Sequence, residues 1–201
     1  MAIGLRNNVA VATLERVIYS ILDGSFSQDY INELIAMETS GKSQAEKINR
    51  TIRRMTINSK LLPFIREHEA DFKAYTKTAS NRCIIYVALF CGSYELFYDM
   101  VSLFGKHFHV QEEVTTQLIK SKLFQKYGNA VDVSRGIACA LTMLVDAGLI
   151  TRTRVGVYTV NKQGNISDFA REMYKKAFLQ HNPNYTEADA VETNPFFEFV
   201  N

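Results

Sequence analysis

Cysteine is scarce: the chain has three in 201 residues, Cys83, Cys91 and Cys139, in no metal-like spacing. An odd, scattered set supports no disulfide framework, so reduced thiols in a cytoplasm are the expectation. Long apolar runs are missing too. The most apolar stretch, Cys83 to Cys91, ends at Gly92 and Ser93, far short of the ~20 residues a membrane-spanning helix needs; a buried helix and no membrane contact are expected instead. The N-terminus, with only Arg6 ahead of a mixed helix, lacks the apolar run and cleavage site of a signal peptide.

Neither sign of charge is in marked excess. With 23 Lys and Arg against 21 Asp and Glu, net +2, any preference for an anionic partner must come from where the charges sit. Catalytic signatures are equally absent: no Gly-rich phosphate loop, no G-x-S-x-G elbow and no H-E-x-x-H. Of His68, His107, His109 and His181, only His107 and His109 are close. On a strand they would share a face as metal ligands, and Glu112 and Glu113 are near, but no ligand-spaced set completes a site. Catalytic residues, cofactors and metals are therefore not expected. Internal repeats and low-complexity blocks are lacking as well.

What is present is helical periodicity. A hydrophobic share of 47% and a charged share of 22% describe a globular protein, of a length suited to one domain or two small ones on a shared core. Val9, Leu14, Val17, Ile18, Ile21 and Leu22 follow helical spacing up to Asp23-Gly24. Ser27 caps a second helix, and Ser43 with Glu46 forms a capping-box pattern opening a third, which turns Ile48, Ile52 and Met55 inward. A fourth runs from Ser59 or Leu61 to about Phe72, with Pro63 in its first turn. The aromatic series Tyr86, Phe90, Tyr94, Phe97, Tyr98 and Phe104 lies at helical spacing in apolar sequence, which reads as core. Glu112 to Lys126 forms an amphipathic helix closed by Gly128-Asn129. A further helix from Asp132 turns Ile137, Ala140, Leu141, Leu144 and Val145 inward and ends at Gly148. The last helix covers about Ile166 to Gln180. Beyond it, Pro183, Pro195 and the acidic Glu187, Asp189 and Glu192 mark a mobile tail as far as Phe196 to Phe199.

The fold expected is mainly α: a compact helical bundle (1–105), a winged-helix-like region with one short β-hairpin (106–180), and an acidic, aromatic tail (181–201). The hairpin follows Leu144-Val-Asp-Ala-Gly-Leu-Ile150, with Arg152 and Arg154 on its first strand and a turn at Val155-Gly156. Gly148 reverses the chain beside the helix, and the turn projects toward a phosphate backbone, where arginines form charge-assisted bonds. The alternative is a hairpin packed on a helix with its arginines in solvent. The preceding helix exposes Ser134, Arg135, Cys139, Thr142 and Asp146, with no Asn or Gln to read adenine, so contact dominated by the phosphate backbone fits better than base readout.

The densest positive cluster lies ~100 positions earlier, where Lys47, Arg50 and Arg54 share a helical stripe flanked by Arg53, with Lys42 and Lys60 beyond its ends. Glu46 alone opposes these six. Either they contact nucleic acid, or they form a solvated face paired with Glu67, Glu69 or Asp71. If four or five neutralise phosphates, log K falls against log salt with a slope of about −4.

The basic Ile48-Asn-Arg-Thr-Ile-Arg-Arg54 helix, the apolar segment running into Phe97-Tyr-Asp-Met-Val-Ser-Leu-Phe104, and Leu144 to Ile150 with its hairpin resemble the BrxA family of bacterial phage-exclusion (BREX) systems, over about residues 10–160. The resemblance implies a mostly helical, cytoplasmic, non-catalytic protein that binds double-stranded DNA and assists other defence-system proteins. It carries DNA contact onto Arg50, Arg53 and Arg54, and onto Arg152 and Arg154. The sequence leaves open an adaptor that docks a partner chain through the hairpin and the aromatic tail, and an RNA binder. It does not set the oligomeric state.

Overall fold

The computed structural model describes residues 4–185 and 194–200; Glu187, Asp189 and Glu192 of the expected tail lie outside the described residues. The chain is mainly helical with one small sheet. In order it forms α1 (Val11–Leu22), α2 (Gln28–Glu38), α3 (Lys42–Met55), α4 (Leu62–Glu67), α5 (Glu69–Tyr75), α6 (Ala79–Ser93), α7 (Glu95–Phe108), β1 (Glu113–Thr115), α8 (Thr116–Tyr127), α9 (Val131–Asp146), β2 (Ile150–Arg154), β3 (Val157–Val160), α10 (Asp168–His181) and a 3-10 helix, Pro195–Phe199.

The core is organised by α6. Every residue from Cys83 to Cys91 is buried, as a helix apolar on all sides requires. Gly92 and Ser93 continue this helix, and it breaks at the extended Tyr94. Arg82 fixes its outer end to α1, donating from Nε and a terminal nitrogen to Glu15 Oε2 at 3.1 and 2.7 Å. Several ends follow the sequence: Gly24 takes φ +71° after α1, and Ser27 Oγ accepts from the Tyr30 N–H at 3.1 Å.

Other boundaries differ. α3 opens at Gly41 with no side-chain cap, so Ser43 and Glu46 lie inside the helix rather than boxing its end. The expected fourth helix is two short ones, broken at His68 (φ −114°, ψ 42°). His107 and His109 sit at the end of helix α7 and not on a strand, so strand alternation does not align them. Among the described residues, no group of three His, Cys, Asp or Glu is placed to hold a metal ion, and no helix is long and apolar enough to cross a membrane.

The segment read as one helix from Glu112 begins as a strand, β1, which adds to the hairpin. The sheet order is β1-β3-β2, antiparallel throughout, with Val114 opposite Tyr158 and Ile150 opposite Val160. Val114 and Tyr158 are buried against the bundle, where the Tyr158 ring meets Phe104 edge-on at 6.2 Å. The succession α7, β1, α8, α9, β2, β3 is thus a full winged-helix arrangement rather than a lone hairpin.

The aromatic tail is part of the core and not a free arm. Phe196, Phe197 and Phe199 are buried, the Tyr174 hydroxyl donates to the Phe196 carbonyl at 2.7 Å, and Arg171 holds the Val200 carbonyl. Gly105 of α7 is the seat: a Cβ there would lie 1.9 Å from the Pro195 carbonyl oxygen. These rings are unavailable to a partner, which removes the tail from the adaptor reading.

Candidate nucleic-acid interface

In the winged-helix region, α9 occupies the position of the reading helix, between α8 and β2. Its apolar face, including Ile137, Ala140, Leu141, Met143 and Leu144, is buried. The rest is divided in two. One strip lies beside the N-terminal segment, residues 4–10, and the start of α1: Arg6 pairs with Asp132 at 3.1 Å, the Asn8 backbone reaches Cys139, and the Val11 N–H donates to Asp146 Oδ2 at 2.6 Å. Cys139 is therefore half-buried beneath that segment, while Asp146 stays exposed and lends one carboxylate oxygen to the start of α1. The open strip is Arg135, Ala138, Thr142 and Val145. Val145, read as inward from its spacing, is 37% exposed. Arg135 is this strip's only charged side chain, and the strip carries no Asn or Gln, the side chains that read adenine.

A groove of about 490 Å³ separates this strip from the wing, bordered by Thr142 and Val145 on α9, Lys120 on α8, and Arg152 and Val155 on the hairpin. Gly156 takes φ +74° at the wing tip. The two wing arginines do not act together. A bulge between them places Arg152 opposite Tyr158 and Arg154 opposite Val157, and because adjacent β3 residues face opposite ways, so do the arginines. Arg152 borders the α9 groove. Arg154 is on the other face, paired with Glu113 at 2.8 Å.

Sequence reasoning passed over Lys120. Between α8 and the wing tip lies a second concavity of about 900 Å³, where Lys120 is joined by Gln117, Ser121, Gln125 and Asn129. Its signal was the polar side of a helix read only for its apolar side. Lys120 borders both concavities.

The α3 stripe divides by role. Arg54 Nε donates to the Ser93 carbonyl at 2.7 Å, and its guanidinium lies 4.2 Å from the Tyr94 ring centre, so it closes the end of α6. Burial pushes the Tyr94 phenol up, against the pull of the Arg54 and Arg50 charges. Arg53 turns to α2, donating to Gln28 Oε1 at 2.7 Å. Lys60 sits at the far end of α3's flank, beside Glu95 and the α10 residues Gln180 and His181. Lys47 and Arg50 have no ion-pair partner among the described residues. Two of the three alternative partners are engaged elsewhere, Glu69 with Lys73 at 2.6 Å and Asp71 with His68 at 3.8 Å; Glu67 has no ion pair among the described residues.

Lys47, Arg50 and Arg54 instead converge on a cavity of about 490 Å³, together with Arg6, Tyr94 and the first turn of α9 at Ala130, Asp132 and Val133. The helix α9 thus walls both this basic cavity and the wing groove. From Asp132 to Thr142 is about 15 Å at 1.5 Å per residue. Two basic clusters far apart in sequence, Lys47 with Arg50 and Arg152 with Lys120, flank one helix. Comparison of the chain with protein-family models, with curated proteins and with solved structures yields no match in any of the three.

Proposed function

We propose that this chain is a non-catalytic protein that binds duplex DNA mainly through its phosphate backbone, as an accessory of a bacterial phage-exclusion system acting in the cytoplasm. The observation that carries DNA binding is the position of α9: it stands in a winged-helix arrangement with cations that have no ion-pair partner among the described residues beyond its first turn, at Lys47 and Arg50, and across the wing groove, at Lys120 and Arg152. The stretch of α9 that borders the two clusters, Asp132 to Thr142, rises about 15 Å, of the order of the ~12 Å width of a major groove. Arg135, between them, is placed for a third contact. Phosphate contacts position a protein without reading sequence, so selectivity among duplexes is weak. The defence setting is supported by the resemblance of the sequence pattern to the BrxA family.

A second reading, an adaptor seating a partner protein on the wing, is favoured by the 88% exposure of Val155 beside Val145. Titration of duplex DNA, RNA and a neutral polymer at two salt concentrations separates the readings. Salt-sensitive binding of duplex, weakened at least about tenfold in a Lys120→Gln, Arg135→Gln, Arg152→Gln variant, supports the first. Binding to none of the three supports the adaptor, and preference for RNA overturns the assignment of substrate. The defence role predicts that phage plating rises to the level of a deletion when that variant replaces the wild type in its host.

A further inference from the structure

On the DNA-binding reading, the cavity between α3, the N-terminal segment and the start of α9 is one that a duplex phosphate backbone crosses at its rim, through Lys47 and Arg50, without filling it. It is a concavity of about 490 Å³, in the range of small-ligand sites and not of a convex helix surface. Four of its lining side chains are cationic, Arg6, Lys47, Arg50 and Arg54, against one carboxylate, Asp132. That carboxylate is already paired with Arg6.

The cations are also unequally held. Arg54 is fixed by the Ser93 carbonyl and the Tyr94 ring, so its charge is present at the cavity wall without ordering by a ligand. Gly4 lies against it, with the position of a Cβ 3.3 Å from an Arg54 terminal nitrogen. Lys47 and Arg50, one turn apart on α3, are not committed to any acidic partner among the described residues. A single fixed guanidinium with two free cations beside it suits an anion carrying several oxygens and more than one charge, because guanidinium forks bind phosphate oxygens in pairs.

We infer that this cavity is a binding site for a small polyphosphate anion, either free or as the phosphate tail of a nucleotide. Lys47 and Arg50 are its main ligands, and Arg54 is the fixed anchor. A bound anion occupies Lys47 and Arg50 beside the first turn of α9, so it competes with duplex for the same two cations. Only this competition rests on the DNA-binding reading; anion binding is measured without DNA, so either can fail alone.

The test is calorimetric titration of the full chain with pyrophosphate and, separately, with ATP. The wild type should show saturable binding to pyrophosphate, weakened at least about tenfold in the Lys47→Gln, Arg50→Gln variant, as loss of two charged hydrogen-bond donors requires. Lys77→Gln removes an exposed charge that does not line the cavity and should leave binding unchanged, and thermal melting should show both variants folded. Equal affinity for the two probes identifies the polyphosphate as the recognised group, while tighter ATP binding adds a nucleoside seated beside Tyr94. No saturable binding of either probe up to about 1 mM, or binding that the double variant leaves intact, overturns the inference.

Discussion

Arg50 and Arg54 stand one turn apart on the same stripe, yet only Arg54 is tied into the fold. Its bond to the Ser93 carbonyl and its stack on Tyr94 predict that Arg54→Ala lowers stability by about 1–2 kcal/mol, read as a drop in urea midpoint, whereas Arg50→Ala leaves the midpoint unchanged. Stripe periodicity makes the two residues equivalent; only the partner on α6, distant in sequence, separates them. The cysteines offer a second residue-scale outcome. Burial pushes the Cys83 thiol up to about 12 from 9.0 and raises Cys91 well above its ordinary value, so both remain thiols at neutral pH. Because the folded value is raised, the stabilisation is complete below the unfolded value of 9.0 and is lost as pH rises from there through about 12. A colorimetric thiol reagent at neutral pH should find none that reacts quickly in the native protein, slow reaction at the half-buried Cys139, and three after denaturation.

Among the elements, the wing shows where a sequence pattern stops short of geometry. Arg152 and Arg154 are two positions apart, which in an unbroken strand places them on one face. The bulge between them reverses this, leaving Arg152 at the α9 groove and Arg154 against Glu113. Arg152→Gln should therefore weaken duplex binding and reduce the salt slope by about 1, with Arg154→Gln changing both far less; equal losses in a filter or anisotropy titration would contradict the placement. The strand β1 was illegible for a related reason. Its three residues, Glu113, Val114 and Thr115, fit the apolar period of the helix that follows, and only pairing with β3, 46 positions on at Thr159, makes them a strand. The helices themselves were legible because their apolar periods, Ser27 and the terminal glycines at positions 24, 128 and 148 are local signals. The approach of residues 4–10 to Cys139 was not, since nothing near α9 in sequence announces that segment.

For the molecule as a whole, the C-terminal 3-10 helix is structural closure. Gly105→Ala drives a Cβ into the Pro195 carbonyl and should cost about 1–3 kcal/mol. Phe196→Ala, which empties a site stacked on Tyr174 at 4.3 Å, should cost about 3–5 kcal/mol. Urea denaturation checks both, and an unchanged midpoint would mean that the tail is not docked. With the tail closed onto the core, the DNA-binding proposal rests on the α3, α9 and wing surfaces. The most direct test of that claim is the salt dependence of duplex binding. With Lys47, Arg50, Lys120, Arg135 and Arg152 on phosphates, log K should fall against log salt with a slope of about −4, becoming shallower by about 3 in the Lys120→Gln, Arg135→Gln, Arg152→Gln variant. A flat salt dependence, or an identical slope in the variant, would contradict it.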